Sequence, residues 1–404
     1  MKKKALFLLV SILFLPALNF GLVFGAEILE IGALYPISGG LALLGEESWR
    51  GAEIARLQRN EAGGIAGNEI LFVQGDASTV SAARSEAERL IEQKKVPMIL
   101  GTFSSSRCMA ASEVAARKGI PYFELGAIAN PITQRDYKTI WRTNPTAEDF
   151  SQAQVDFITD WYAPEIGKKP AEMRVSIAHE DSDYGTSVAD SFSKIAEKVG
   201  IQIASIEPYA ANTNDLSSVI FRLRKAKPDM VVAVSYANDA ILLSRQAYEL
   251  KLNAPIMGTG GGHSLQSFAD GLGKEADGVF NVDFTQYEVN KKFTPGLAKF
   301  VSLYKKTFNE NPRSGHSLTN YMGANVVFDL IEKTGGSIDA EKIREAANAV
   351  DIQPGTTATG WGVKFNENGQ NVAAECFVTQ WRNGKLVTVW PETAAVMAPI
   401  VPKQ

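Results

Sequence analysis

Twice along this chain, short β-branched or apolar runs alternate with longer stretches of helical period, and that alternation limits the fold more than any single motif does. Ile28 to Leu34, Ile70 to Val73, Pro97 to Leu100 and Ile120 to Leu125 read as strands of a first series. Val175 to Ala178, Ile201 to Ile206, Met230 to Val234 and Pro255 to Met257 read as strands of a second. Between them, Ala83, Ala87, Leu90 and Ile91, or Leu216, Val219, Ile220 and Leu223, recur at spacings of three and four and so share one helical face. The latter helix follows Thr213, Asn214 and Asp215, whose side-chain oxygens suit an N-cap. Strand and helix in alternation build βαβ units, hence parallel sheets with helices on both faces.

The first series fills Glu27 to about Thr143, and the second runs from Asn144-Pro145-Thr146 to about Asp283. A helical block spans roughly Pro295 to Val350, a Gly- and Thr-rich stretch covers Pro354 to Gly362, and strand-like segments with a hairpin signal at Asn383-Gly384 end the chain. The pattern predicts an α/β protein of two doubly wound parallel-sheet lobes joined by a multi-crossover hinge. The boundaries it predicts are 27–143 plus 284–357 for the N-terminal lobe and 144–283 plus 358–404 for the C-terminal lobe. Open α/β sheets bind ligands beyond the carboxyl ends of their strands, so two such lobes face to face make a cleft.

The start of the chain bears on where that cleft works. Lys2, Lys3 and Lys4 precede an apolar run from Ala5 to Phe24, and small residues follow up to Ala26. This predicts a secretory leader over residues 1–26, cleaved near Ala26. An uncleaved anchor is the alternative, but Pro16 and Asn19 interrupt the run. Without the three leader lysines, 41 basic residues become 38 against 45 acidic ones, a formal charge of −7. That balance argues against nucleic acid, whose phosphates need clustered Lys and Arg. About 378 mature residues exceed what one core supports, in keeping with two lobes. Cys108 and Cys376 stand far apart without motif spacing; two buried thiols or a disulfide are both open in an oxidising compartment.

Catalytic and metal motifs are missing. The run Gly258-Thr-Gly260-Gly-Gly-His263 fails the dinucleotide fingerprint, because histidine stands where the third glycine belongs. There is no P-loop, zinc motif or nucleophile elbow. His179-Glu-Asp-Ser-Asp183 has the composition of a metal loop but not its spacing, and reads as a helix-capping loop. No cofactor is expected.

Five segments, spread over nearly the whole mature chain, carry a family resemblance: Gly32-Ala-Leu-Tyr-Pro-Ile-Ser-Gly39, Asn60-Glu-Ala-Gly-Gly-Ile-Ala-Gly67, Ile99-Leu-Gly-Thr-Phe-Ser-Ser-Ser106, Ser182-Asp-Tyr-Gly185 and Gly362-Val-Lys-Phe-Asn-Glu-Asn-Gly369. In order and spacing they resemble the leucine/isoleucine/valine-binding family, the type I periplasmic solute-binding proteins of ABC importers. The residues also read on their own terms. Ser104, Ser105 and Ser106 lie between a strand and a helix, where hydroxyls and free N–H groups can hold an anion; N-capping by one serine is the plainer reading. The resemblance implies that Ser105 and the loop from Phe103 hold a ligand carboxylate. It implies too that Gly126, next to Ala127, offers a carbonyl to the ligand's amine, and that Tyr184 and Tyr236 line the cleft.

The chain departs from the family pattern in several places. Ile128 stands where a hydroxyl is usual and Gly260 where an acid pairs with an ammonium, while Leu44 and His316 replace aromatic rings. Glu124, at the end of its strand, is either a substitute cationic contact or an exposed carboxylate. The resemblance implies a periplasmic, monomeric receptor that takes a branched-chain or aliphatic amino acid, or a related small carboxylate or amide, and is read by membrane permease subunits. A sensory module using the same cleft, or a hydrolase pairing Ser105 with His179, are the rival expectations.

Overall fold

The computed structural model of the chain describes residues 28–402. The expected leader lies outside the described residues. The first sheet contains β1 (Ile28–Tyr35), β2 (Glu69–Asp76), β3 (Ile99–Gly101), β4 (Tyr122–Glu124) and β5 (Ile140–Arg142), in the order β2-β1-β3-β4-β5 and parallel throughout. Its helices are α1 (Ala42–Glu61), α2 (Val80–Glu88) and α3 (Ser105–Arg117).

The second series repeats this order. Strands β6 (Arg174–Glu180), β7 (Gln202–Tyr209), β8 (Met230–Val234), β9 (Ile256–Thr259) and β10 (Phe280–Asp283) lie as β10-β9-β8-β6-β7, again parallel. The hairpin β11 (Phe377–Arg382) and β12 (Lys385–Trp390) adds two antiparallel strands beside β10. This is the turn foreseen at Asn383-Gly384, where both residues take positive φ. The accompanying helices are α4 (Ala147–Phe157), the single turn α5 (Ala163–Glu165), α6 (Asp183–Val199), α7 (Ser217–Ala226), α8 (Ala237–Glu249) and α9 (Gln266–Leu272). The helical block resolves into α10 (Leu297–Phe308), α11 (Gly315–Lys333) and α12 (Ala340–Asn348), and α11 packs along α1 on the first sheet.

The strands foreseen from sequence are the ones that read as apolar runs, because a parallel strand covered on both faces has no polar side. All five residues of β8, Met-Val-Val-Ala-Val, are buried. Strands β5 and β10 escape that pattern: each is short and carries buried polar side chains. Arg142 is fully buried, bonded to the carbonyl of Ala129 at 2.7 Å and to Gln370 Oε1 at 2.6 Å. Asn281 and Asp283 are fully buried in β10. Asn281 Nδ2 donates to Gly260 O at 3.2 Å and Asp283 accepts from Phe284 N at 2.7 Å, and such internal bonds make burial tolerable.

Three crossings join the lobes: residues 143–146 leave β5 for α4, the segment from Phe284 leaves β10 for α10, and residues 362–371 return before β11. The crossings are tied together. Gln370 Nε2 donates to Asn144 O at 3.0 Å, Asn371 Nδ2 to Thr143 O at 2.9 Å, and the N–H of Asn371 to Arg142 O at 2.9 Å. Both cysteines are buried and unbonded. Among the described residues no helix is long and apolar enough to cross a membrane.

Candidate ligand cavity between the lobes

The first-lobe wall is shaped by one carboxyl group. Glu124 ends β4 fully buried. Its Oε1 accepts the N–H groups of Phe103 at 3.0 Å, Leu125 at 3.0 Å, Gly126 at 2.9 Å and Ala127 at 2.8 Å, and its Oε2 that of Thr102 at 2.6 Å. Five main-chain donors from two loops therefore converge on one side chain. Phe103 is held at φ 68°, a region that bulky side chains seldom occupy. Glu124 is thus neither a contact for a cationic ligand nor an exposed carboxylate: its oxygens are spent on the loops, and it does not reach the cavity. It positions the residues that do. Gly126 must be glycine, since a Cβ there would come within 2.9 Å of Phe103 Cβ.

Behind Phe103 the chain turns into α3. Its N-cap, Ser104, makes no side-chain capping bond, and the first intrahelical bond runs from Cys108 N to Ser104 O. The N–H groups of Ser105, Ser106 and Arg107 precede that bond, with the positive end of the helix dipole behind them. Ser105 lines the cavity, and its Oγ accepts from Ala129 N at 3.2 Å, leaving the hydroxyl proton free to donate. Arg107, in the same turn, spends its donors on Ala77 O, Ser78 O and Ser104 Oγ.

The second-lobe wall is made of rings and bare backbone. Tyr184 enters in the first turn of α6, after the Ser182 N-cap, and Tyr236 at the N-cap of α8. Their ring centroids are 5.2 Å apart. Tyr184 OH donates to Thr259 O, and Tyr236 OH lies 3.4 Å from Ser104 Oγ of the other lobe. Burial pushes both phenols well above the ordinary tyrosine range, so both stay neutral. Gly260, Gly261 and Gly262 follow β9. A Cβ on Gly261 would stand 2.6 Å from His316 Cε1 and 2.9 Å from Leu44 Cδ2, both across the cleft. The glycine run lets the second lobe's backbone press against the first.

The cleft between the walls holds about 350 Å³ of space, part of it open to solvent. From the earlier expectation it gathers Leu44, Phe103, Ser105, Gly126, Ile128, Tyr184, Tyr236, Gly260 and His316. Three expected residues stay out. Ser104 points to Arg107 and Tyr236, the N–H of Ala127 is held by Glu124 and its carbonyl accepts from Asn144 Nδ2, and Glu124 is enclosed. Phe150, Ser235, Gly261, Gly262 and Phe284 join unforeseen. Phe150 and Phe284 meet edge to face at 5.4 Å across a gap of 134 residues, which no local sequence pattern reports. The glycine run did carry a signal, as a place where backbone approaches closely. His316 is pressed between Phe103 and Phe284, and desolvation lowers its pKa to about 3, so the imidazole is neutral. His179 does not line the cavity, so the Ser105–His179 pair is not assembled there. No cluster of metal-ligating side chains occurs among the described residues.

A family model described as "Periplasmic binding protein" matches residues 29–385. The chain belongs to that family. Leu/Ile/Val-binding protein homolog 7 of Brucella suis biovar 1 (strain 1330) is 46% identical over 371 residues, covering 91% of this chain and 92% of the relative. Leu/Ile/Val-binding protein homolog 8 of Brucella abortus (strain 2308) is 46% identical over 378 residues, with 93% and 94% covered. Among solved structures, a leucine binding protein from Thermotoga maritima MSB8 aligns with TM-score 0.79 at 23% identity, over 90% of this chain and 98% of that one. A solute binding protein from R. palustris in complex with benzoate aligns with TM-score 0.78 at 20% identity, over 93% and 99%. The resemblance seen in the sequence segments is borne out, and with it the two-lobed α/β fold and the role of solute-binding receptor.

Proposed function

We propose that this receptor serves an ABC importer in the periplasm, exported behind a leader removed near Ala26. It captures an aliphatic amino acid or a related small carboxylate or amide, and presents the closed form to membrane permease subunits as a monomer. Residues 27–143 with 284–357 act as one closing body, and 144–283 with 358–404 as the other. The observation that carries this reading is the cleft itself: a mostly apolar space with Ser105, at the N-terminus of α3, on one wall and neutral phenols on the other. The relatives named for leucine, isoleucine and valine support small carboxylates, as does the structural neighbour holding benzoate.

Contacts from both lobes give a ligand the differential affinity that closure needs. The mouth has its own bonds: Asp183 N donates to Ser106 Oγ at 3.2 Å, and Asn130 bonds to Ser187 and Ser191, both at 2.9 Å. A thermal-shift screen against small carboxylates, amides and amino acids tests the proposal. A true ligand at 100 times its Kd stabilises by about 2.7 kcal/mol. No shift with any solute would overturn it.

A further inference from the structure

The geometry points to a receptor for carboxylates that carry no ammonium group. This rests on the receptor reading above and narrows it. None of the residues lining the cavity is an Asp, Glu, Lys or Arg. Four buried acids that flank its lining residues in the chain are engaged elsewhere. Glu124 is saturated by main-chain N–H groups. Glu180 accepts from Ser182 N, Ser182 Oγ and Gly185 N, at 3.0, 2.7 and 2.7 Å. Asp239 accepts from Tyr209 OH at 3.0 Å. Asp283 accepts from Phe284 N at 2.7 Å and from Gln286 Nε2 at 3.2 Å.

An ammonium group drawn into this space would lose its water and find no carboxylate to bond. Neutral acceptors would have to serve: Tyr184 OH gives its proton to Thr259 O and offers only lone pairs, and Ser235 Oγ already shares a bond with Tyr209 OH at 2.6 Å, neither matching a charge-assisted bond to a carboxylate. A carboxylate meets the opposite situation. The N–H groups at the start of α3 and the Ser105 hydroxyl are unspent donors, and the helix dipole favours the negative charge. The second observation pointing to a ligand is His316. It is almost wholly buried against the cavity, Nδ1 lies 3.5 Å from Ser314 Oγ, and Nε2 is left for an oxygen substituent of the guest. A neutral imidazole suits a keto or hydroxyl oxygen and gives nothing to an ammonium but a single lone pair.

Matched ligands isolate the effect. Leucine and 4-methyl-2-oxopentanoate share a carbon skeleton and a carboxylate and differ at Cα, where one bears an ammonium and the other a carbonyl oxygen. Calorimetric titration of the full mature chain with both, and with benzoate as a flat carboxylate, is expected to show the 2-oxo acid binding at least ten-fold tighter than leucine, a difference of about 1.4 kcal/mol. Equal or tighter binding of leucine would overturn the inference while leaving the receptor reading intact. Failure of every carboxylate and every amino acid to bind would overturn both. In Gly260→Asp, a carboxylate placed beside Tyr184 at a left-handed position that Asp tolerates should shift the ratio at least ten-fold toward leucine. An unchanged ratio would contradict the idea that the missing acid sets the preference.

Discussion

The two walls of the cavity are built on opposite principles. On the first lobe, backbone groups are fixed by a buried side chain: Glu124 gathers five N–H donors and holds Phe103, Gly126 and Ala127 in place before any ligand arrives. On the second, side chains and bare glycine backbone supply surface: Tyr184, Tyr236 and Gly260–Gly262 shape the space and lie against the first lobe across the cleft. The contrast assigns polar recognition to the wall that is preorganised and shape recognition to the wall laid against it. Preorganised donors cost little reordering on binding, whereas apolar contacts need no fixed direction.

The largest expected effect tests the first wall. Glu124→Ala orphans five buried N–H donors, each worth about 1–3 kcal/mol when left unpaired. A loss of at least about 4 kcal/mol in stability by denaturant titration is therefore expected, together with loss of ligand binding. Full binding in a folded Glu124→Ala protein would show that the loops hold themselves. Next comes the second wall. In Gly261→Val the nearest atoms the added side chain meets belong to His316 and Leu44 of the facing lobe, so affinity should fall at least 50-fold while the unliganded melting temperature stays nearly constant. A drop in melting temperature without ligand would place the glycine's role inside its own lobe. Ser105→Ala removes one donor beside the N–H groups that remain, and a several-fold loss, on the order of 1 kcal/mol, should appear in titration of the identified ligand without a change in fold.

The smallest effect is a pH dependence. Burial raises Asp283 to about 7, against about 3.9 in an unfolded chain. Between those values the folded state holds the extra proton, so this group's contribution to stability declines as pH rises from about 4 to about 7. His263 and His316, both lowered to about 3, act in the opposite sense: below about 6.5 the unfolded chain takes up protons that they refuse. The wild-type profile mixes both, so the readout is the difference between Asp283→Asn and wild type. That difference should move in favour of the variant as pH rises through 4 to 7. A difference independent of pH would mean that Asp283 is ionised throughout.

The same comparison explains what could be read from the sequence. The parallel strands were legible because burial on both faces erases polarity, as in β8, and the loop leading to Ser105 because three serines in a row exceed what one N-cap needs. Beyond this, the family resemblance placed Tyr184 and Tyr236. Glu124 misled, because a strand-end carboxylate looks alike whether it faces a ligand or folds back on its own loops; only the approach of Thr102 and Phe103, more than 20 residues earlier, distinguishes the two. Gly260 registered as a lost acid, yet its neighbour Gly261 matters for what lies across the cleft, 55 residues away at His316. Phe150 and Phe284 sit where the chain passes between lobes, and their partnership exists only after both sheets have formed.

Small-angle scattering on the purified mature chain, with and without the carboxylate found by titration, tests the central claim most directly. A cavity that forms where two lobes meet around a guest predicts a smaller radius of gyration on binding, and no such contraction in Gly261→Val. Saturating ligand with an unchanged radius of gyration in the wild-type protein would contradict it.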